Sequence, residues 1–199
     1  MSLTTDLLWN AYREGAFPMT DDDGVVQFYL PPVRAIFPGC QVKVSRSLGK
    51  LIRRGGFDVT FDQAFEDVIR GCFRPGDNWL SEEIVEVFLR AFDEGWAHSC
   101  EVWIEGDLVG GVYGLALGGY FSAESMFYRV TDMSKVALVG LSLKLKELGF
   151  VTLDAQILNP HTESLGCIEV SWDEYVQIRQ ESMSLLTDWG VRQAASSSS

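Results

Sequence analysis

At 199 residues, with 47% hydrophobic and 12% aromatic side chains, the chain can bury a core and fold unaided as one domain or one and a half; it has no long uncharged apolar run, and Asp6, Arg13 and Glu14 interrupt any leader-like segment, which argues against a membrane span and for the cytoplasm. The four cysteines, Cys40, Cys72, Cys100 and Cys167, are too scattered for a paired metal motif or a compact disulfide scaffold and read as reduced, mostly buried thiols, with no metal or cofactor implied. A formal net charge of −12 opposes general binding to phosphate backbones and leaves room only for a local basic face.

The first element is a helix, with Leu7, Leu8, Ala11 and Tyr12 on one face and Gly15 and Pro18 ending it. After the acidic turn at Asp21, Asp22, Asp23 and Gly24, VVQFYL reads as a strand. The proline-rich PPVRAIFPG is unsuited to a central strand and holds at most a brief edge strand over AIFPGC. Together these form a small N-terminal α/β unit over residues 1–42.

In SRSLGKLIRRGG, Leu48, Leu51 and Ile52 make an apolar stripe that two glycines close, the pattern of a C-capped helix. The same stretch gathers Lys43, Arg46, Lys50, Arg53 and Arg54 without an acid, so a basic face survives on an acidic body. The charges alone fit a solvated helix surface equally well. FDVTF follows as a strand, then two helices behind the N-cap candidates Asp62 and Ser81, the second ending at Gly95. Residues 98–130 alternate valine, isoleucine and aromatics around the turn Glu105, Gly106, Asp107, which predicts an antiparallel meander. The next helix sets Leu138, Leu141, Leu145 and Leu148 on one face with Lys144 and Lys146 outside. VTLDAQIL is a strand, NPHTESLG a turn with a short helix, and SWDEYVQIRQESMSLLTDWG a closing helical region. The fold class is α+β: the small N-terminal unit, an acetyltransferase-like domain over residues 43–185 with a mainly antiparallel sheet, and a disordered tail over 186–199. Architecture of this kind does not assign a function.

Three polar positions stand out. Asp154 and Gln156, two apart on a strand, share one face and can act together; taken alone they read equally as a polar strand end bonded to its own turn. Glu124, set in the apolar and small residues of SAESMF, implies a cationic partner if buried, although an outward-facing position also fits the alternation. GGVYG and LGG match neither the phosphate-loop nor the dinucleotide pattern, and His98 and His161 are isolated, one a strand residue and one a turn residue.

The strings LLWNAYREGAFPM, SRSLGKLIRRGGFDVTFDQAFEDVIRGC, AHSCEVW, GGVYGLALGGYFSAESMF, SKVALVGL and LDAQILNPHTESLG follow the order seen in leucyl/phenylalanyl-tRNA protein transferases, from about residue 7 to 170. The chain resembles that family over nearly its whole length. The resemblance implies transfer of Leu, and less readily Phe or Met, from aminoacyl-tRNA to proteins that begin with Arg or Lys, which marks them for degradation by the N-degron pathway. It implies that Asp154 orients Gln156, whose amide oxygen accepts from the attacking amine, and that Glu124 holds an ammonium. It implies a side-chain pocket of Val112, Phe121, Met126, Leu138, Leu141 and Leu153, although for any one of these ordinary core packing is the simpler reading. Trp79 is implied to stack on the terminal adenine of tRNA, with a hydrophobic staple as the competing reading. The basic residues from Lys43 to Arg54 are the candidates for acceptor-stem phosphates. The chain departs from the family in FYLPPVRAI, where an aromatic and serine-rich element usually precedes the equivalent of Arg34, and in Asn78, where threonine commonly precedes the tryptophan.

Two other readings compete. An acyl-CoA-dependent N-acyltransferase would share the architecture, but it wants a glycine-containing pyrophosphate loop opening a helix, and RVTDMSKVAL has none. A non-catalytic module that binds tRNA or protein N-termini is opposed by the retained Glu124, Asp154 and Gln156.

Overall fold

The computed structural model describes residues 3–73 and 80–190. The chain opens with α1 (Thr5–Glu14), capped by the Thr4 hydroxyl and ended by a left-handed Gly15, and continues into a hairpin of β1 (Phe17–Thr20) and β2 (Val26–Tyr29). Then come β3 (Val33–Pro38), α2 (Arg46–Arg54), β4 (Asp58–Phe61), α3 (Phe65–Gly71), α4 (Glu82–Glu94), β5 (Ala97–Ile104), β6 (Asp107–Leu117) and β7 (Tyr120–Tyr128). The remaining elements are α5 (Met133–Glu147), β8 (Thr152–Gln156), α6 (Pro160–Ser164), β9 (Ile168–Ser171) and α7 (Trp172–Met183).

Seven strands form one sheet in the order β4, β5, β6, β7, β8, β3, β9. All neighbours are antiparallel except β7 and β8, so the α+β class with a mainly antiparallel sheet is the observed one. The sheet is covered on both faces. Val68, Ile69, Ile84 and Phe88 of α3 and α4 pack with Tyr113 and Leu115 on one side, while Val136, Leu138, Leu141 and Leu145 of α5 pack with Val112, Phe121 and Leu153 on the other. Burial on two faces makes β6 read as a continuous apolar run. Its glycines serve close approach: a Cβ at Gly110 would lie 2.7 Å from Cβ of Met133.

Three expectations are corrected. The strand expected at the edge, closing the 1–42 unit, is β3, an interior strand between β8 and β9. Its prolines flank rather than interrupt it, with Pro31 and Pro32 before it and Pro38 last, and Arg34, Ala35, Ile36 and Phe37 are all buried. Asp62 does not cap α3, which starts at Phe65 behind Ala64. Asp62 adopts a left-handed φ of 58°, accepts from the Ser99 backbone N–H at 2.9 Å and pairs with His98 Nδ1 at 2.8 Å, so its carboxylate serves strand β5 instead. The four cysteines are free and buried, and burial pushes Cys40 and Cys167 up to about 12. Of the tail expected to be disordered over 186–199, residues 191–199 lie outside the described residues, and residues 186–190 correct the expectation, since Trp189 stacks on His98 with ring centres 4.0 Å apart.

Candidate active site

The site is built where β3, β7 and β8 run side by side. Arg34 of β3 and Asp154 of β8, both 0% exposed, form an ion pair with Nε 2.8 Å from Oδ2 and 3.0 Å from Oδ1. Arg34 also donates through Nη1 to the Gly15 carbonyl at 2.8 Å, and its guanidinium lies 4.9 Å from the ring centres of both Phe17 and Tyr175. Burial works against the arginine's charge, but Asp154 together with the Tyr120 and Tyr175 phenols outweighs it, and the arginine's pKa is raised. The Tyr120 hydroxyl donates to Asp154, the Tyr175 hydroxyl donates to Oδ2 at 3.2 Å, and the two hydroxyls are 2.9 Å apart. The two phenols satisfy the carboxylate side of this buried ion pair, while on the guanidinium side Nη2 is buried without a hydrogen-bond partner among the described residues.

The last donor to Asp154 is the backbone N–H of Gln156, 2.6 Å from Oδ1. Gln156 has a φ of 62°, so regular strand alternation stops one residue short of it. This corrects the expected geometry. Asp154 holds Gln156 through its main chain, in a left-handed conformation that a glutamine seldom adopts, and does not touch the side-chain amide.

That freed side chain turns to Glu124 of β7: Gln156 Nε2 donates to Oε2 at 2.7 Å, and Ser122 Oγ donates to Oε1 at 2.8 Å. The Tyr12 hydroxyl of α1 lies beside the same carboxylate without a well-aligned hydrogen bond. No Lys or Arg forms an ion pair with Glu124 among the described residues, so the cationic partner expected from its surroundings is absent there. Burial pushes the Glu124 carboxyl up to about 7, against the neighbouring Tyr12, Ser122 and Gln156 groups and the more remote Arg34 charge. Near neutral pH this group can gain or release a proton.

Glu124 lines a cavity of about 220 Å³ whose apolar wall includes Phe37, Val112, Met126 and Leu138 and whose polar rim includes Asn159 and Thr162. Of the six expected pocket residues, Val112, Met126 and Leu138 reach this wall. Phe121, Leu141 and Leu153 do not; each is 0% exposed in the core behind it, where alternation along β7 and β8 and the inner side of α5 place them. Trp79 lies outside the described residues, as does Asn78. Lys43, Arg46, Lys50, Arg53 and Arg54 are exposed on and beside α2 and make no ion pair among the described residues, leaving their charges to solvent or to a ligand. No group of three His, Cys, Asp or Glu suited to a metal ion occurs among the described residues.

Arg34, Tyr120, Tyr175 and Tyr12 are the functional neighbours that sequence reading passed over as such. The available signal was an arginine inside the apolar run VRAIF, which in a strand buried on both faces demands a carboxylate. Nothing local points to the two phenols, which come from β7 and α7.

The family model for leucyl/phenylalanyl-tRNA protein transferase matches residues 36–180, and the model for the N-terminal domain of the same family matches residues 1–32. Similar proteins named leucyl/phenylalanyl-tRNA–protein transferase include one from Chlorobium luteolum, 45% identical over 186 residues that cover 91% of this chain and 96% of the relative. Another from Chlorobaculum parvum is 48% identical over 171 residues, covering 83% and 88%. A third from Rubrobacter xylanophilus is 44% identical over 186 residues, covering 93% and 97%. A solved structure titled ribosomal-protein-alanine N-acetyltransferase, from Brucella melitensis biovar Abortus 2308, overlaps with a TM-score of 0.36 at 16% identity, covering 54% of this chain and 86% of that one.

Proposed function

Because the chain belongs to the leucyl/phenylalanyl-tRNA protein transferase family and transfers Leu or Phe from tRNA to protein N-termini, we propose that the transfer takes place at the Glu124 and Gln156 edge of the 220 Å³ cavity. The observation that carries this reading is the direct bond between those two side chains, with Glu124 in the wall of a cavity that sets Phe37, Val112, Met126 and Leu138 beside polar Ser125, Asn159 and Thr162.

Attack of an amine on an aminoacyl ester needs alignment of the two reactants and an amine in its neutral form. An α-amino group titrates at about 7.7–8.0, so a fraction is already neutral near pH 7 and a mild acceptor suffices. With Nε2 committed to Glu124, the Gln156 Oε1 is left to accept an N–H of the attacking amine. Asp154, fixed by Arg34 and two tyrosines, keeps the Gln156 backbone from relaxing to an ordinary strand conformation. Glu124, ionised above about 7, attracts an ammonium of the donor or acceptor and takes up the proton that the amine gives off. As the amide C–N bond forms and the ester C–O bond breaks, that proton goes to the departing ribose oxygen of the tRNA. The leucyl, phenylalanyl or methionyl side chain enters between Val112, Met126 and Leu138. The exposed α2 arginines and lysines track acceptor-stem phosphates, which suits a tRNA accepted for its shape. Acceptors begin with Arg or Lys, the site works in the cytoplasm, and the product is routed to degradation.

The test is transfer of radiolabelled leucine from leucyl-tRNA to a peptide beginning with Arg, with an Ala-initiated peptide and acetyl-CoA as controls. Label on the Arg peptide alone is the expected result. Acylation from acetyl-CoA without transfer from any charged tRNA would overturn the reading.

A further inference from the structure

A second cavity, of about 500 Å³, lies on the other side of Gly15, between α1 and α7 and beside the turn that joins β6 to β7. Its floor is Arg179 of α7, only 4% exposed. This guanidinium makes no hydrogen bond and no ion pair among the described residues; Nε and Nη1 are fully buried without an acceptor. Its sole charge-stabilising contact among them is the Tyr175 ring, 5.4 Å from its centre. The same ring already faces Arg34 at 4.9 Å, so two buried guanidinia share one phenol, and the nearby carboxylate, Asp154, is committed to Arg34. Gly15 makes room for Arg179, because a side chain at that position would collide with Nη1. Arg13 and Ser184 add a second cation and a hydroxyl to the cavity wall, with Glu14 as the opposing acid.

A buried charge without a counterion is strongly unfavourable, and a buried donor without an acceptor adds to that cost. In a chain of net charge −12, a fold that keeps a buried, unpaired arginine in the wall of a cavity is arranged for an anion. We propose that the cavity between α1 and α7 binds a small oxyanion, the phosphate or carboxylate headgroup of a low-molecular-weight ligand, with Arg179 as its principal partner and Arg13 as its second. Nε and Nη1 are enclosed by protein, so Nη2 is the guanidinium nitrogen left to donate to a headgroup in the cavity, with the full positive charge behind it. The site is separate from the aminoacyl cavity and linked to it through Gly15 and Tyr175, each of which also touches Arg34.

Calorimetric titration of the full chain with inorganic phosphate, AMP and citrate tests this, with thermal unfolding followed in the same buffers. Saturable binding of phosphate or AMP, raising Tm, assigns a phosphate headgroup; binding of citrate alone assigns a carboxylate. Arg179→Gln is expected to weaken that binding roughly tenfold or more and Arg13→Gln by less. Without ligand, Arg179→Gln is expected to unfold at the same temperature as the parent or higher, because the uncompensated charge is gone. If that variant does not fold, the loss of affinity in Arg13→Gln carries the same reading. No saturable binding of any of the three probes, or binding that neither substitution weakens, would overturn the proposal.

Discussion

Asp154 and Glu124 stand on adjacent strands of one sheet, and their surroundings give them opposite duties. Asp154 is enclosed by a fully buried arginine, two phenols and a backbone N–H, all directed at its two oxygens. Glu124 has one serine and one glutamine side chain as hydrogen-bonded donors, no ion-paired cation among the described residues, and a cavity in front of it. A carboxylate saturated with donors becomes part of the scaffold, whereas one that is half satisfied at a cavity edge stays available for protons and ligands. The two are joined by Gln156, whose main chain belongs to the first and whose side chain belongs to the second.

The sharpest way to break this contrast is to unbalance the scaffold. Arg34→Ala leaves Asp154 buried without its cation and is expected to lower unfolding stability by about 3–5 kcal/mol, read from urea denaturation. The corresponding change at Glu124 acts on pH dependence instead. Its folded pKa of about 7 is raised above the ordinary 4.5, so the stability it contributes is fully present below about 4.5 and is lost as pH rises through about 7. Glu124→Gln is therefore expected to raise Tm relative to the parent at pH 8 and to have little such advantage at pH 5. Transfer by the parent, which needs the ionised carboxylate, should fall as pH drops through about 7, and Glu124→Gln should lose that contribution to the profile; an unchanged profile would remove Glu124 from proton handling.

A smaller effect is expected at the cavity wall. Val112→Phe takes up part of the 220 Å³ and should lower the transfer of phenylalanine more than that of leucine, measured as the ratio of their kcat/KM values. The smallest expected effect is at α2, whose arginines make no ion pair with either carboxylate among the described residues. Replacing Arg53 and Arg54 by Gln should weaken tRNA binding at low salt and reduce the salt slope by about 0.9 for each lost phosphate contact, with the rate at saturation unchanged.

The helices α2, α4 and α5 were legible because apolar periodicity and terminal glycines or N-cap serines agree with one another. The meander β5 to β7 was legible for the same reason, with the Glu105, Gly106, Asp107 turn at its first bend. The strands β1 and β9 were missed, β1 because its Pro18 reads as a helix stop and β9 because it runs into α7 with no turn between them, and β3 was mistaken for an edge because its flanking prolines stand close to a six-residue strand. At the site, Glu124, Asp154 and Gln156 and a link from Asp154 to Gln156 were legible through family likeness, but not that the link runs through the Gln156 main chain or that its amide bonds Glu124. Arg34 and Asp154 are 120 residues apart in sequence, and no local pattern marks such a pair. The left-handed backbone at Gln156 breaks the alternation from which its direction had been read. Phe121, Leu141 and Leu153 differ from the cavity-lining Val112, Met126 and Leu138 by the neighbours they face, which hydrophobicity does not encode.

The most direct test is single-turnover leucine transfer from saturating leucyl-tRNA by Gln156→Ala, with tRNA affinity measured on the same preparation. If Gln156 positions the attacking amine, the transfer rate falls by about a hundredfold or more while tRNA affinity stays within a factor of about two. A rate close to the parent's, or a loss confined to tRNA affinity, would contradict the assignment of the transfer to the Glu124 and Gln156 edge of the cavity.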